Sequence, residues 1–256
     1  MARPVAPSVK PLEKQKKGPA AVPVALRVVP PGGGAAAKVA IIIDDWGYST
    51  KNCQYLRDIK SHVTVAVLPD LPHSADVIQC AHEAGQEIML HLPMEPHDNS
   101  DKYPEDYVLK TSMSPIKVDS LLTKILDKMP FVDGVNNHMG SKATEDKRLM
   151  TTVFKQLKYR GLFFVDSRVT SKSVCAPLAR QMDVPFTARD IFLDNVNERK
   201  AIENQLAALA RIAKKRGKAL AIGHDRSLTL QVIADRIPWF TEQGIELVPV
   251  REYISQ

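Results

Sequence analysis

From residue 39 onward, short and mostly apolar runs recur, separated by longer stretches of helical periodicity. The runs are "VAIII" (39–43), "VTVAVLP" (63–69), "EIMLHL" (87–92), "GVNNHM" (134–139), "LFFVDS" (162–167), "PFTARDIFL" (185–193), "ALAIGH" (219–224) and "ELVPV" (246–250). Several are continuously apolar, as parallel strands covered on both faces should be. Between them the pattern predicts helices with clear punctuation. Ser74 is expected to cap one that stops at Gly85, and Ser114 with Pro115 opens another carrying Val118, Leu121, Leu122, Ile125 and Leu126. Thr144 opens a third that ends at Gly161, and a fourth runs from Asn197 to Gly217 with Ile202, Leu206, Leu209 and Ile212 on one face. Strand and helix alternate roughly seven or eight times, which predicts a single distorted β/α barrel of about seven strands, with a doubly wound open sheet as the alternative.

The pattern breaks down before residue 39. Residues 1–38, rich in Pro, Ala and Lys and closing on a Gly run, cannot form a packed core and read as a disordered tether to a domain spanning 39–256. That segment holds the whole formal net charge of +6, so the domain itself nets zero. A nucleic-acid partner is therefore not expected. No apolar run is long enough to span a membrane, and the tether lacks the apolar stretch of a signal peptide. A Pro/Ala/Lys tether is what remains when an export or anchor segment has been left off, so a periplasmic or extracytoplasmic location is expected, with the cytoplasm as the alternative. Cys53, Cys80 and Cys175 have no metal-like spacing, and Cys80 reads as a small buried hydrophobe.

The chemistry lies in the polar residues that interrupt the ends of apolar runs: Asp44 and Asp45, His91, Asn136, Asn137 and His138, Asp166, Arg189 and Asp190, and His224. In a β/α barrel these C-terminal strand ends converge on one face, where active sites are built. Taken singly, each has a plainer reading as core histidine, helix cap or turn residue. Together at equivalent strand ends they point to a site, whereas His62, His73, His82 and His97 have no such placement and read as surface residues. Imidazole and carboxylate without cysteine suit zinc or another divalent first-row ion, and two adjacent acids can divide the work of ligand and base.

The motifs "AIIIDDWGY", "EIMLHLPMEP", "GVNNHMGSKAT", "GLFFVDSR", "RDIFLDN" and "AIGH" resemble those of the divergent polysaccharide deacetylases, relatives of the NodB-type carbohydrate esterases. The resemblance implies hydrolysis of N-acetyl groups on the amino sugars of a polysaccharide, a divalent metal, most simply zinc, and a role in the cell envelope. It assigns Asp44 as general base, Asp45 and His91 as metal ligands, and His224 as general acid oriented by Asp166. The family's second metal-binding His, four residues after the first, is here Glu95; His138 is taken as the remaining ligand in its place, with Glu95 itself as the alternative. Trp46, Asn137 and Arg189 are assigned to substrate. Two other functions fit the same residues: a non-catalytic glycan-binding protein that keeps the pocket, and a metal hydrolase of glycosidic or peptide bonds.

Overall fold

The computed structural model describes residues 36–59, 61–98 and 103–255. The expected tether, apart from its last residues, lies outside these. Among the described residues nine strands, β1 (Ala37–Trp46), β2 (Thr64–Val67), β3 (Glu87–Met94), β4 (Val132–Met139), β5 (Phe163–Asp166), β6 (Phe186–Ala188), β7 (Ile191–Phe192), β8 (Lys218–His224) and β9 (Ile245–Leu247), form one sheet. Their order is β6-β5-β4-β3-β2-β1-β8-β7, with β9 added beside β1. Every pairing is parallel. The sheet curls into the distorted barrel that the alternation predicts, and the open sheet is set aside.

The expected strand 185–193 is divided. Its first part pairs with β5 and its second with β8, so the chain itself steps from one edge of the curled sheet to the other. Arg189 N–H donates to Asp166 O at 3.0 Å and Asp190 N–H to Leu220 O at 2.9 Å, which stitches the seam on both sides.

The two faces of each strand follow the period of two. Ala40 and Ile42, Met89, Phe163 and Val165, and Leu220 and Ile222 form an inner cluster. Val39, Ile41 and Ile43, Leu90, Val135, Phe164, Ala219 and Ala221 face the helical layer. That layer comprises α1 (Cys53–Asp58), α2 (Ser74–Glu83), α3 (Pro115–Asp127), α4 (Lys147–Arg160), α5 (Cys175–Met182), α6 (Arg199–Arg216) and α7 (Ser227–Glu242). A last short helix, α8 (Val250–Ile254), closes the lower end of the barrel, and its Val250 and Tyr253 join the inner cluster. Glu87 holds it there by accepting from the Val250 and Arg251 amides at 2.7 and 2.9 Å.

Two expected helix starts are revised. Ser114 caps α3 as predicted, accepting from Lys117 N–H. Ser74, by contrast, lies inside α2 and donates its hydroxyl to Leu68 O at 2.6 Å, tying the helix to the strand end instead of capping it. α4 is capped by Asp146, which accepts from Leu149 N–H, while Thr144 sits in a preceding 3₁₀ turn. The run 246–250 is strand only to Leu247, because Pro249 turns the chain into α8. The three cysteines are buried and free.

Candidate active site

The inner face of each strand changes from apolar to polar as it climbs. On β1, Ala40 and Ile42 lead to Asp44; on β3, Met89 leads to His91; on β4, Gly134 leads to Asn136 and His138; on β8, Leu220 and Ile222 lead to His224. Same-face spacing therefore delivers these side chains to one end of the barrel. Strand pairing sets Asp44 beside His224 and His91 beside Asn136.

Asp45 breaks the rule. Period two would send it to the face opposite Asp44, but its backbone takes a positive φ of 65° where the β1–β2 register shifts. Asp is among the few non-glycine residues that tolerate this region. The turn brings both carboxylates to the site.

The Asp45 carboxylate meets two imidazoles. Its Oδ1 lies 3.2 Å from His91 Nε2 and 3.1 Å from His138 Nδ1, and the two ring nitrogens are 3.0 Å apart. Despite these distances Oδ1 is buried and makes no hydrogen bond. Three donor atoms converge on one space, where the two ring nitrogens pair with each other and the carboxylate oxygen is left over. Ligands about 2.0 Å from a tetrahedral zinc ion lie about 3.3 Å from one another, so the spacing and the donor types fit such an ion. Burial alone would raise the Asp45 carboxyl, but His138 and His91 hold it well below the usual carboxylate range. Burial opposes charge on His91, yet Asp44 and Asp45 push it up to about 9. Without a cation, the cluster keeps a proton in its place.

Around this group stand two further arrangements. Asn136, fully buried, bridges His91 Nδ1 and Asp44 Oδ1 at 2.8 Å each. Asp44 is itself buried, and desolvation raises its carboxyl above the usual range. His224 Nδ1–H donates to Asp194 Oδ1 at 2.7 Å; Asp194, with no exposed surface, also accepts from His224 N–H and Thr229 Oγ1. Burial disfavours the imidazolium, but Asp194 outweighs it and raises His224. A cavity of about 400 Å³ opens beside Asp45 and His224, flanked by Tyr48, Lys51, Asn52 and Arg226. A larger hollow of about 800 Å³ lies at the lower end, beside Ile88, Val132 and Leu162, and touches none of these residues.

The structure brings Asp44, Asp45, His91, His138 and His224 together and engages four other expected residues elsewhere. Asp166 does not orient His224: it points to the outer side of β5 and accepts from Arg168 N–H and Ser173 Oγ, and Asp194 takes the orienting place. Asn137 falls on the outer face of β4, where its amide donates to Met139 O and accepts from Ser167 N–H. Trp46 is fully buried in the outer core, so it cannot touch a ligand. Arg189 spends its guanidinium on Ser167 O and Arg168 O and stacks over the Phe192 ring at 3.6 Å. Glu95 is likewise engaged elsewhere, accepting from Thr111 and Lys142, so it is His138 that joins Asp45 and His91 in the group that could hold a metal ion. Asp194 was visible in the "RDIFLDN" motif, but only the seam that carries it past β8 shows its partner.

Residues 41–254 match the family model of the divergent polysaccharide deacetylases. The chain belongs to that family. It is similar to an uncharacterized protein of Haemophilus influenzae, 37% identical over 199 residues, covering 78% of this chain and 70% of that one. It is also similar to the uncharacterized protein YibQ of Escherichia coli, 33% identical over 203 residues, covering 79% of this chain and 63% of YibQ. Among solved structures, the uncharacterized protein ATU2773 of Agrobacterium tumefaciens superposes with a TM-score of 0.80 at 24% identity, over 87% of this chain and 91% of that one. The catalytic domain of a peptidoglycan N-acetylglucosamine deacetylase from Eubacterium rectale shares the fold, with a TM-score of 0.50 at 12% identity over 86% of this chain and 90% of that one. The fold is that of the NodB-like barrel, and the family is one of polysaccharide deacetylases.

Proposed function

We propose that this chain is a metal-dependent hydrolase that removes N-acetyl groups from the amino sugars of a polysaccharide. The observation that carries the proposal is the unsatisfied Asp45 Oδ1 between His91 Nε2 and His138 Nδ1, with a buried carboxylate beside it and a carboxylate-held imidazole facing Asp44. Asp45, His91 and His138 would hold a divalent ion, most simply zinc. Bound there, the ion would supply Lewis-acid chemistry toward the amide carbonyl and the attacking water. Asp44 takes a proton from that water. His224, its Nδ1–H fixed by Asp194, presents Nε2 to the leaving amine and donates the proton that nitrogen needs. Asp194 stabilises the charged imidazole and fixes its tautomer. On this reading the substrate belongs to the cell envelope and the chain works outside the cytoplasm.

The test separates the two acids. Zinc-loaded protein should release acetate from N-acetylated chito-oligosaccharides. Asp44→Asn should keep its zinc and lose on the order of 10²-fold or more in turnover, the scale of a positioned base. Asp45→Asn should lose zinc affinity and activity together. Zinc binding without acetate release from any N-acetylated glycan would overturn the deacetylase reading and favour a glycan-binding protein or a hydrolase of another bond.

A further inference from the structure

We propose that Asn136 is the positioning residue of the site, a neutral spacer that keeps the base and the metal ligand from pairing with each other. The inference rests on the metal-site reading above but concerns a residue that the reading does not use. His91 Nδ1 lies 3.7 Å from Asp44 Oδ1, and the two groups are buried and of opposite tendency. Left alone, they would close into a direct hydrogen bond, spending the base on the ligand. Asn136 stands between them at 2.8 Å from each.

A primary amide is suited to this place because it has both a donor and an acceptor. Its Nδ2–H₂ faces Asp44 Oδ1, an acceptor, so its Oδ1 must face His91 and accept there. In its neutral, ligating form His91 then carries its proton on Nδ1, and the Nε2 lone pair is aimed at the space shared with Asp45 and His138. One amide orientation thereby fixes the ligand tautomer and leaves Asp44 Oδ2 for the proton it is to take. This is the outer-layer hydrogen bonding that commonly orients a ligating histidine, here shared with the base. The position follows from register, since Asn136 is the β4 partner of His91 and lies on the inner face, while its neighbour Asn137 does not.

The two ends of the amide can be tested apart. Asn136→Asp is nearly isosteric and keeps an acceptor for His91 Nδ1–H, but loses the donor toward Asp44 and adds a like charge beside it. Asn136→Ala loses both ends. Zinc affinity of the folded proteins, measured by competition with a chromophoric chelator, should be within about 3-fold of the parent for Asn136→Asp and about 10–100-fold weaker for Asn136→Ala. Acetate release per zinc-loaded site should fall on the order of 10²-fold in both. Parental zinc affinity in Asn136→Ala, or equal loss of zinc in both variants, would overturn the proposal. The affinity measurement needs no substrate, so a parent that binds zinc but releases no acetate would sink the proposed function while the Asn136 result stands on its own. A parent that binds no zinc would sink both.

Discussion

Replacing Gly134 with alanine should damage both the barrel and the proposed metal site. Gly134 lies on the inner face of β4, one step below Asn136 and two below His138 on the same side. A methyl group there would come closer than 3.0 Å to three carbons of the Phe163 ring, a separation Cβ atoms do not adopt. The ring is 1% exposed and packed within the inner cluster, so it has no free space to retreat into. Overpacking of this kind costs about 1–3 kcal/mol, and the lower chain entropy of alanine in a strand returns about 0.5–1 kcal/mol. With a backbone–ring conflict the net should sit near ~2 kcal/mol, which for a domain of this size is a fall of roughly 4–8 °C in melting temperature. Zinc affinity should fall as well, because β4 carries His138 above the clash. Thermal denaturation followed by circular dichroism reads the first effect and chelator competition the second. Phe163→Leu, introduced into the Gly134→Ala protein, makes room for the methyl and should recover at least half of the lost stability, a coupling of about 1 kcal/mol or more. If Gly134→Ala melts within 1 °C of the parent, or the two substitutions add without coupling, the argument from close approach is wrong.

Other expectations follow from the charged groups. His91, pushed up to about 9, is protonated at neutral pH when no metal is bound, so zinc binding should release close to one proton and weaken as pH falls; calorimetry in buffers of different ionisation enthalpy measures this. Asp194 raises His224, so Asp194→Asn should lower it again: the alkaline limb of the activity profile should move to lower pH, with turnover reduced on the order of 10²-fold. The same pair contributes stability that is full below the ordinary histidine value and lost as pH rises through the raised one, so Asp194→Asn should cost more at pH 6 than at pH 9. Glu87→Ala strips the acceptors from the Val250 and Arg251 amides and should cost about 1–3 kcal/mol, seen as a lower urea midpoint with faster hydrogen exchange in α8.

Much of this was legible before folding, and the misses share causes. The apolar-to-polar change at strand ends identified Asp44, Asp45, His91, His138 and His224, because burial demands apolar residues low in the barrel and only function retains buried charge above them. What a list of strand-end residues does not contain is which face each one takes. Asn136 and Asn137 are adjacent, yet only the first shares the inner face with Gly134 and His138; Asp166 follows the inward Val165 and so points away. Asp45 defeats parity altogether through its left-handed backbone. Asp194 depends on a seam that no local pattern announces, since one apparent strand is shared between two edges. The helices α1, α5 and α7 were not anticipated: α1 is short, α5 carries Pro177 near its start, and α7 carries Pro238 in its interior, where proline argues against a helix.

The place of β1 in the sheet also fixes an order of events. This strand precedes every other described strand, yet it lies between β2 and β8 and also receives β9. Asp45, His91 and His138 are all available once residue 139 has been synthesised, whereas the partner of Asp44 across the sheet is His224. A chain emerging from the ribosome can therefore gather these three side chains while one edge of β1 is still bare, and that apolar edge stays unpaired until β8 follows, some 180 residues after β1. An early metal ion would clamp β1, β3 and β4 during that wait. The proposed hydrolytic group would then be completed last, by the segment that closes the barrel.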